Sequence, residues 1–588
     1  MYTIPSLSPP HPPLTTTTTD LEPAELVNLS IVSRQLLGLS RDNNLWKTHC
    51  FTHSIAERRR RRIEATSDID PRLAELITAA NNIANVLDTN GHDAHASSAE
   101  NTRETKWEAL RTKWDPSYPG EKVNWYQDFI QRHAPQQLSF FQDAGNEGRD
   151  EDEVRREATG AGILFDDEGL AHRLIAPMDD GSICIWDASA QSERMGKMIS
   201  KTNIGLLSNR GSDLDYDTRL SQSQAIMTET GAVECVSIDD KLQKGFFAVQ
   251  NVLNEVDINT LQVVSRTPYP FPITALSEAH HTSPLTVGTN WTLHLHDFRK
   301  PPAPAPPSST RCELISGPSN SLETATLGNH VSLSQPGALS ILHLPDDTIW
   351  VAGRFTSLLN FDRRFFPRLR GTVHSGARLS CLSSLPYPAP SHTLLAAGSY
   401  KGKGSLELYN LSSDPTYPTS RNSQAGYQNR QTASSSKLLA VAPHGTRVVF
   451  SDGDGNIKWV ERDCATPVRH FNINDLQRRV QHVAPQMSNP LQADMETGWG
   501  DIVQKIIPTT RHVSNSSHND DLVVWTGDGK LGTVSFGAEP LFDGDFFEDA
   551  VEVQGVKVRE REREYGVEMR RALEMQAREV RWLRGYGL

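Results

Sequence analysis

The chain lacks paired cysteines, long apolar runs and the short sequences that commonly mark an enzyme. Its six cysteines, Cys50, Cys184, Cys235, Cys312, Cys381 and Cys464, are scattered with no C-x-x-C pair. That removes the usual spacing of a zinc ribbon and leaves no disulfide framework, so reduced, partly buried thiols and no metal are expected. No run approaches the roughly 18 apolar residues of a membrane helix. The first residues carry Pro and Thr where a secretory signal has a charged and then an apolar segment. An intracellular protein without a membrane partner is expected. There is no G-x-S-x-G elbow, G-x-x-x-x-G-K loop or H-E-x-x-H helix, so no catalytic residues, no cofactor and no enzymatic activity are expected. Positive charge is short as well: 59 Lys+Arg stand against 72 Asp+Glu, a net charge of -13. Such a balance repels phosphate backbones, and no nucleic-acid partner is expected.

What is present is length and polarity with enough apolar residues for a core: 588 residues, 37% hydrophobic and 22% charged. This length calls for several domains or one large repeat array. Residues 1–20, rich in Pro, Ser and Thr, read as a loose tail. In the segment that follows, Leu26, Leu29, Val32, Ser33, Leu36 and Leu39 recur every three or four residues, the spacing of an apolar helix face. Two short helices with a polar break near Ser40 to Asn44 are expected in a small module over 21–56. Residues 57–158 read as a helical, aromatic-rich linker. It starts with five arginines, Arg58 to Arg62, which form a solvated face or a nuclear-import signal, so the compartment is cytoplasm, nucleus or both. It also holds Trp107, Trp114, Trp125, Tyr126 and Phe129, an aromatic cluster suited to docking against a neighbouring domain.

Past about residue 160 the hydrophobic period changes from 3.6 to 2. The clearest unit is HRLIAPMDDGSICIWDAS, two short strands around a turn at Asp180-Gly181, where Gly tolerates positive φ. The template recurs near 245–260, 283–300, 347–364, 392–411, 446–463 and 521–537. Seven related units in series mark a repeat fold over 159–540. Segments near 190–230, 301–335, 412–435 and 470–505 read as inserted surface loops. Residues 541–588 read as an acidic stretch followed by an amphipathic helix.

The units resemble WD-repeat propeller blades. Trp186-Asp187 is the complete Trp-Asp dipeptide; Asp257, Asp297 and Asp362 hold the Asp place elsewhere, and His374 stands in the His place of a blade-opening segment. The resemblance implies a mainly β fold, a seven-bladed WD-repeat-like beta-propeller with a small all-α F-box-like N-terminal module and a C-terminal helix. Leu21-x-Pro23, Glu25-Leu26, Leu29-Ser30, Val32-Ser33-Arg34, Leu36, Leu39 and Asp42-Asn43-x-Leu45-Trp46-Lys47 resemble the latter part of an F-box. The opening Leu-Pro-x-Glu-hydrophobic helix of that family has no counterpart in residues 1–20. F-box plus WD repeats is similar to the substrate receptors of SCF-type ubiquitin ligases. That implies a Skp adaptor and a cullin scaffold as partners, with an unidentified protein substrate on the propeller. The adaptor-binding positions it implies are Leu21, Pro23, Leu26, Leu29, Val32, Leu36, Leu45 and Trp46. The partner-facing emphasis falls on Leu21, Pro23, Leu26 and Leu29, because Leu45 and Trp46 serve equally to close the helical core. The alternatives are a non-ligase scaffold and, behind it, a propeller enzyme.

Three further features have plain structural readings. Asp452, Asp454 and Asn456 alternate as in a calcium loop, but Ile457 stands where the sharp turn needs Gly, which favours a hairpin turn. Asp180, Asp239, Asp346 and Asp452 fall at turns, where carboxylates cap backbone amides. Arg354, Arg363, Arg364, Arg368 and Arg370 cluster near one unit and read as its solvated edge.

Overall fold

In a computed structural model of the chain, isolated positions apart, the described residues are 21–61, 112–144, 156–208, 215–297, 330–385, 391–412, 425–474, 501–511 and 520–537. The C-terminal helix expected within 541–588, Trp107, Cys312 and Asp346 lie outside them.

Seven four-stranded antiparallel sheets form a seven-bladed β-propeller. Blades 1 to 6 run in chain order, over 162–201, 236–268, 273–332, 338–374, 378–434 and 438–472. Blade 7 takes its three inner strands from 503–536 and its outer strand from Gln136–Phe140. That strand falls within the segment read from sequence as linker. It pairs antiparallel with Leu531–Phe536, from Gln136 opposite Phe536 to Phe140 opposite Gly532. A propeller edge left open would expose a row of unpaired backbone groups, and this strand covers it. Its sequence, QQLSF, has one partly buried apolar position and so carries little strand signal of its own.

Each of the seven sequence units falls on the two middle strands of a blade, the most regular part of each sheet. Packed on both faces, middle strands read as continuous apolar runs: Leu285–Thr289 and Leu522–Thr526 are buried throughout. Outer strands face water on one side and alternate, as in Gln262–Pro268. Apolar side chains of neighbouring blades interleave; Leu164, Ile175, Phe246, Phe247, Val256 and Val287 form one such layer across blades 1 to 3. Each fully buried Leu, Ile or Phe contributes about 1.5 to 3 kcal/mol.

Turn chemistry sets the hairpins. Gly181 has φ +73°, and Asp180 Oδ1 accepts from Ser182 N at 2.8 Å. Asp239 Oδ1 accepts from the amides of Lys241 and Leu242, and Asp452 Oδ1 from those of Asp454 and Asn456 at 3.0 Å. The other Asp452 oxygen meets Lys458 Nζ at 3.0 Å, so this carboxylate is engaged within its own hairpin. The insertion near 190–230 contains a helix, Tyr216–Thr230, capped by Gly231 at φ +52°. With Leu220, Ile226 and Met227 as its few large aliphatics, it gives almost no apolar periodicity to read.

Candidate interaction surface

The N-terminal module has three short helices where two were expected: α1 (Pro23–Val32), α2 (Arg34–Ser40) and α3 (Asn43–Thr52). Pro23 at the first turn and a Glu22/Glu25 capping box start α1. Ser33, extended at φ -157° and ψ 158°, ends it, and its hydroxyl accepts from Leu36 N at 3.2 Å to start α2. Apolar spacing runs on through Ser33, which is why the sequence suggests one continuous helix there. Asp42 caps α3 through Asn44 N at 3.0 Å.

A small core holds the module together. Leu26, Leu45, Trp46 and Cys50 are buried with Val123 and Trp125, and Leu21, Trp114, Tyr126 and Phe129 pack around them. Trp46 Nε1 donates to Ser40 O at 2.6 Å, and the Tyr126 and Phe129 rings lie 4.9 and 5.0 Å from its own. Asn43 clamps the aromatic segment: its Nδ2 donates to Val123 O and its Oδ1 accepts from Trp125 N, both at 2.8 Å.

The positions implied for an adaptor therefore divide. Leu26, one of the positions the resemblance implies as partner-facing, is at 0% exposure and belongs to that core. Leu45 and Trp46 are buried beside it. Leu21, Pro23, Leu29 and Leu36 are half-buried. Val32 is 70% exposed and Ile31, which the sequence reading passed over, is 79% exposed. The exposed apolar surface thus lies at the C-terminal end of α1, beside the Ser33 break. The sequence carried no signal for Ile31, because its exposure follows from the break at Ser33, which the apolar spacing does not show. Nearby, Arg60 pairs with Glu57 at 2.6 Å and Arg58 donates to His53 O, so part of the arginine run is engaged locally.

A fourth helix, α4 (Trp125–His133), fastens this module to blades 6 and 7. Arg132 is buried and donates to Asp128, to both oxygens of Glu461 and to Thr446 Oγ1. Thr446 in turn donates to Asp128 Oδ1 at 2.7 Å. Arg447, also buried, binds Gln131. Arg469 donates to the carbonyls of Gln131 and Ala134 at 2.6 and 2.8 Å. Burial opposes ionisation of Asp128, but Arg132 and Arg447 override it and hold the carboxyl well below its usual range. Arg462 grips Glu121 bidentately and lies over the Tyr118 ring at 4.3 Å. Asp520 and Asp521 are sealed in the same region, and burial pushes them up to about 7 and about 6.

The positions that carry the blade resemblance also divide. Trp186 is buried and donates to Gln142 O at 2.8 Å. Asp187, Asp257 and Asp362 cap the amides that follow them in the outer turns, and Asp297 directly follows the strand Thr292–His296. His374 is exposed at the end of an outer strand. The buried polar cluster there is made by its neighbour: Ser375 Oγ donates to Glu407 Oε2 at 2.6 Å, Ser405 to Oε1 at 3.0 Å, and Tyr409 to the same carboxylate. His294 stacks on His330 at 5.5 Å and meets Thr292 Oγ1 at 2.7 Å, and burial pushes it down to about 4. His296 meets the Tyr269 hydroxyl at 3.2 Å.

A seven-bladed propeller is a rigid platform whose fold is consistent with the WD-repeat type and suited to holding proteins. No family model matches the chain, and no curated protein is similar to it.

Proposed function

We propose that the protein is the substrate-recognition subunit of an SCF-type ubiquitin ligase, acting in the cytoplasm, the nucleus or both. In this reading the helical module binds a Skp adaptor, and through it a cullin, while the propeller binds the protein to be modified. The chain contributes binding and no chemistry. The observation that carries the proposal is the exposed Ile31 and Val32 pair on a module that α4 fixes to the propeller. Apolar side chains at the tip of a rigidly held module are the anchors an adaptor interface needs, and rigid docking would keep adaptor and substrate at a set separation. The burial of Leu26 favours a second reading, a scaffold without a ligase, because it removes one implied anchor.

The test is co-purification of the full chain with a Skp adaptor and cullin, beside an Ile31→Asp, Val32→Asp variant whose fold these exposed positions leave intact. Complex formation by the wild type, lost at least tenfold in the variant, is the expected result. A folded wild-type chain that retains neither adaptor nor cullin would sink the receptor reading and leave the scaffold.

A further inference from the structure

The arginine cluster of blade 4 takes no part in the proposed adaptor contact. Its outer strand, Leu369–His374, and the turn before it carry Arg363, Arg364, Arg368 and Arg370. Arg363 and Arg364 share one acid, Asp347, and Asp362 is occupied with the amides of Arg364 and Phe365. Arg368 and Arg370 are exposed, with no ion pair among the described residues. Between these cations two large apolar side chains stand in water: Phe365 is 64% exposed and Leu369 47%.

Cations on the outer strands of three other blades are engaged. In blade 1 Lys201 is bonded to Ala144 O, in blade 2 Arg266 to Asn254 and Leu206 O, and in blade 6 Arg469 to α4. The outer strands of blades 3 and 7, His330–Ser332 and Gln136–Phe140, have no Lys or Arg, and Arg430 on the outer strand of blade 5, Ala425–Ser434, lies outside the described side chains. Blade 4 therefore combines uncompensated cations, exposed apolar side chains and an outer edge with which no described strand pairs.

We infer that this edge is a docking site for an acidic, extended protein segment, which adds to blade 4 as a fifth strand. The edge supplies alternate backbone N–H and C=O groups for main-chain bonds. Phe365 and Leu369 offer apolar contact, and Arg364, Arg368 and Arg370 meet carboxylates. Arg370 is the extra residue of a bulge, since Asn360 faces Gly371 while Phe361 faces Leu369; strand addition is thus confined to the regular stretch beyond it. The same arginines disfavour a second copy of this chain as occupant, because two copies would bring like charges together. An anionic lipid surface is less suited, because two apolar side chains on one blade give little insertion. The inference is independent of adaptor binding and stands if that reading fails.

The experiment selects from displayed random 12-residue peptides with the full chain, in parallel with an Arg364→Glu, Arg368→Glu, Arg370→Glu variant. A control carries the same kind of charge reversal on the opposite ends of the blades, Arg378→Glu, Lys437→Glu. The expected result is enrichment of Asp and Glu alternating with apolar residues for the wild type and the control. A selected peptide should bind the variant at least tenfold more weakly, and should slow hydrogen exchange within 371–374. Selection without acidic enrichment, equal binding by the variant, or unchanged exchange at 371–374 would overturn it. So would wild-type binding to phosphatidylserine vesicles that the variant loses, which would assign the patch to lipid.

Discussion

Burial makes Asp520 a proton-holding group at the edge of blade 7, pushed up to about 7, against an ordinary carboxyl near 4. A carboxyl whose folded value is raised binds its proton more tightly in the folded state, so its contribution weakens stability as pH climbs from about 4 through 7. Replacing it by Asn keeps a hydrogen-bonding partner for Thr510 Oγ1, now 2.6 Å away, and removes the charge. Asp520→Asn is expected to stabilise the protein at pH 8 by roughly 1 to 3 kcal/mol and to change little at pH 5, read as Tm at the two values. Buried histidines act in the other direction. Burial pushes His444 down to about 3 and His343 down to about 4, so the stability they allow is full above their unfolded value near 6.5 and is lost as pH falls toward 4. The two effects together place greatest stability close to neutral pH.

Among elements, the outer strand of blade 7 is the one whose partner lies furthest along the chain. Gln136–Phe140 meets Leu531–Phe536 across nearly 400 residues, and their fit depends on Gly532. A Cβ there would come within 3.0 Å of Leu138 Cδ1 and 3.1 Å of Ser139 O. Gly532→Val is expected to push the strand outward, costing about 1 to 3 kcal/mol and speeding hydrogen exchange through 136–140, while the other six blades keep their protection. The middle strands were legible because burial on both faces leaves continuous apolar runs ending in turn residues. The outer strand of blade 7 and α1's break at Ser33 were not, because neither departs from its local pattern: QQLSF is an ordinary polar segment, and the apolar spacing continues across Ser33. Leu26 illustrates the same limit. Its spacing assigns it to an apolar face without saying whether that face meets the module's own core or a partner.

At the scale of the molecule, the helical module and the propeller are joined by buried charge. Arg132 neutralises Asp128 and Glu461 at once, so its loss takes the ion-pair partner from buried Glu461 and leaves Asp128 to Arg447 alone. Arg132→Met is expected to destabilise the protein by about 3 to 5 kcal/mol and to separate the thermal transition of residues 21–134 from that of the blades, visible by calorimetry. The seven recurring strand–turn–strand units determined by themselves a large repeat fold built on strands, and the seven middle hairpins could be placed within it, because strand periodicity and turn residues act over a few positions. Which residues close the ring, which helix holds the module, whether Leu26 or Ile31 faces outward, and that Ser375 and not His374 enters the buried cluster with Glu407 were decided only in three dimensions. Those outcomes depend on contacts between segments tens to hundreds of residues apart, where the alternatives differ in burial and pairing but share the same local sequence.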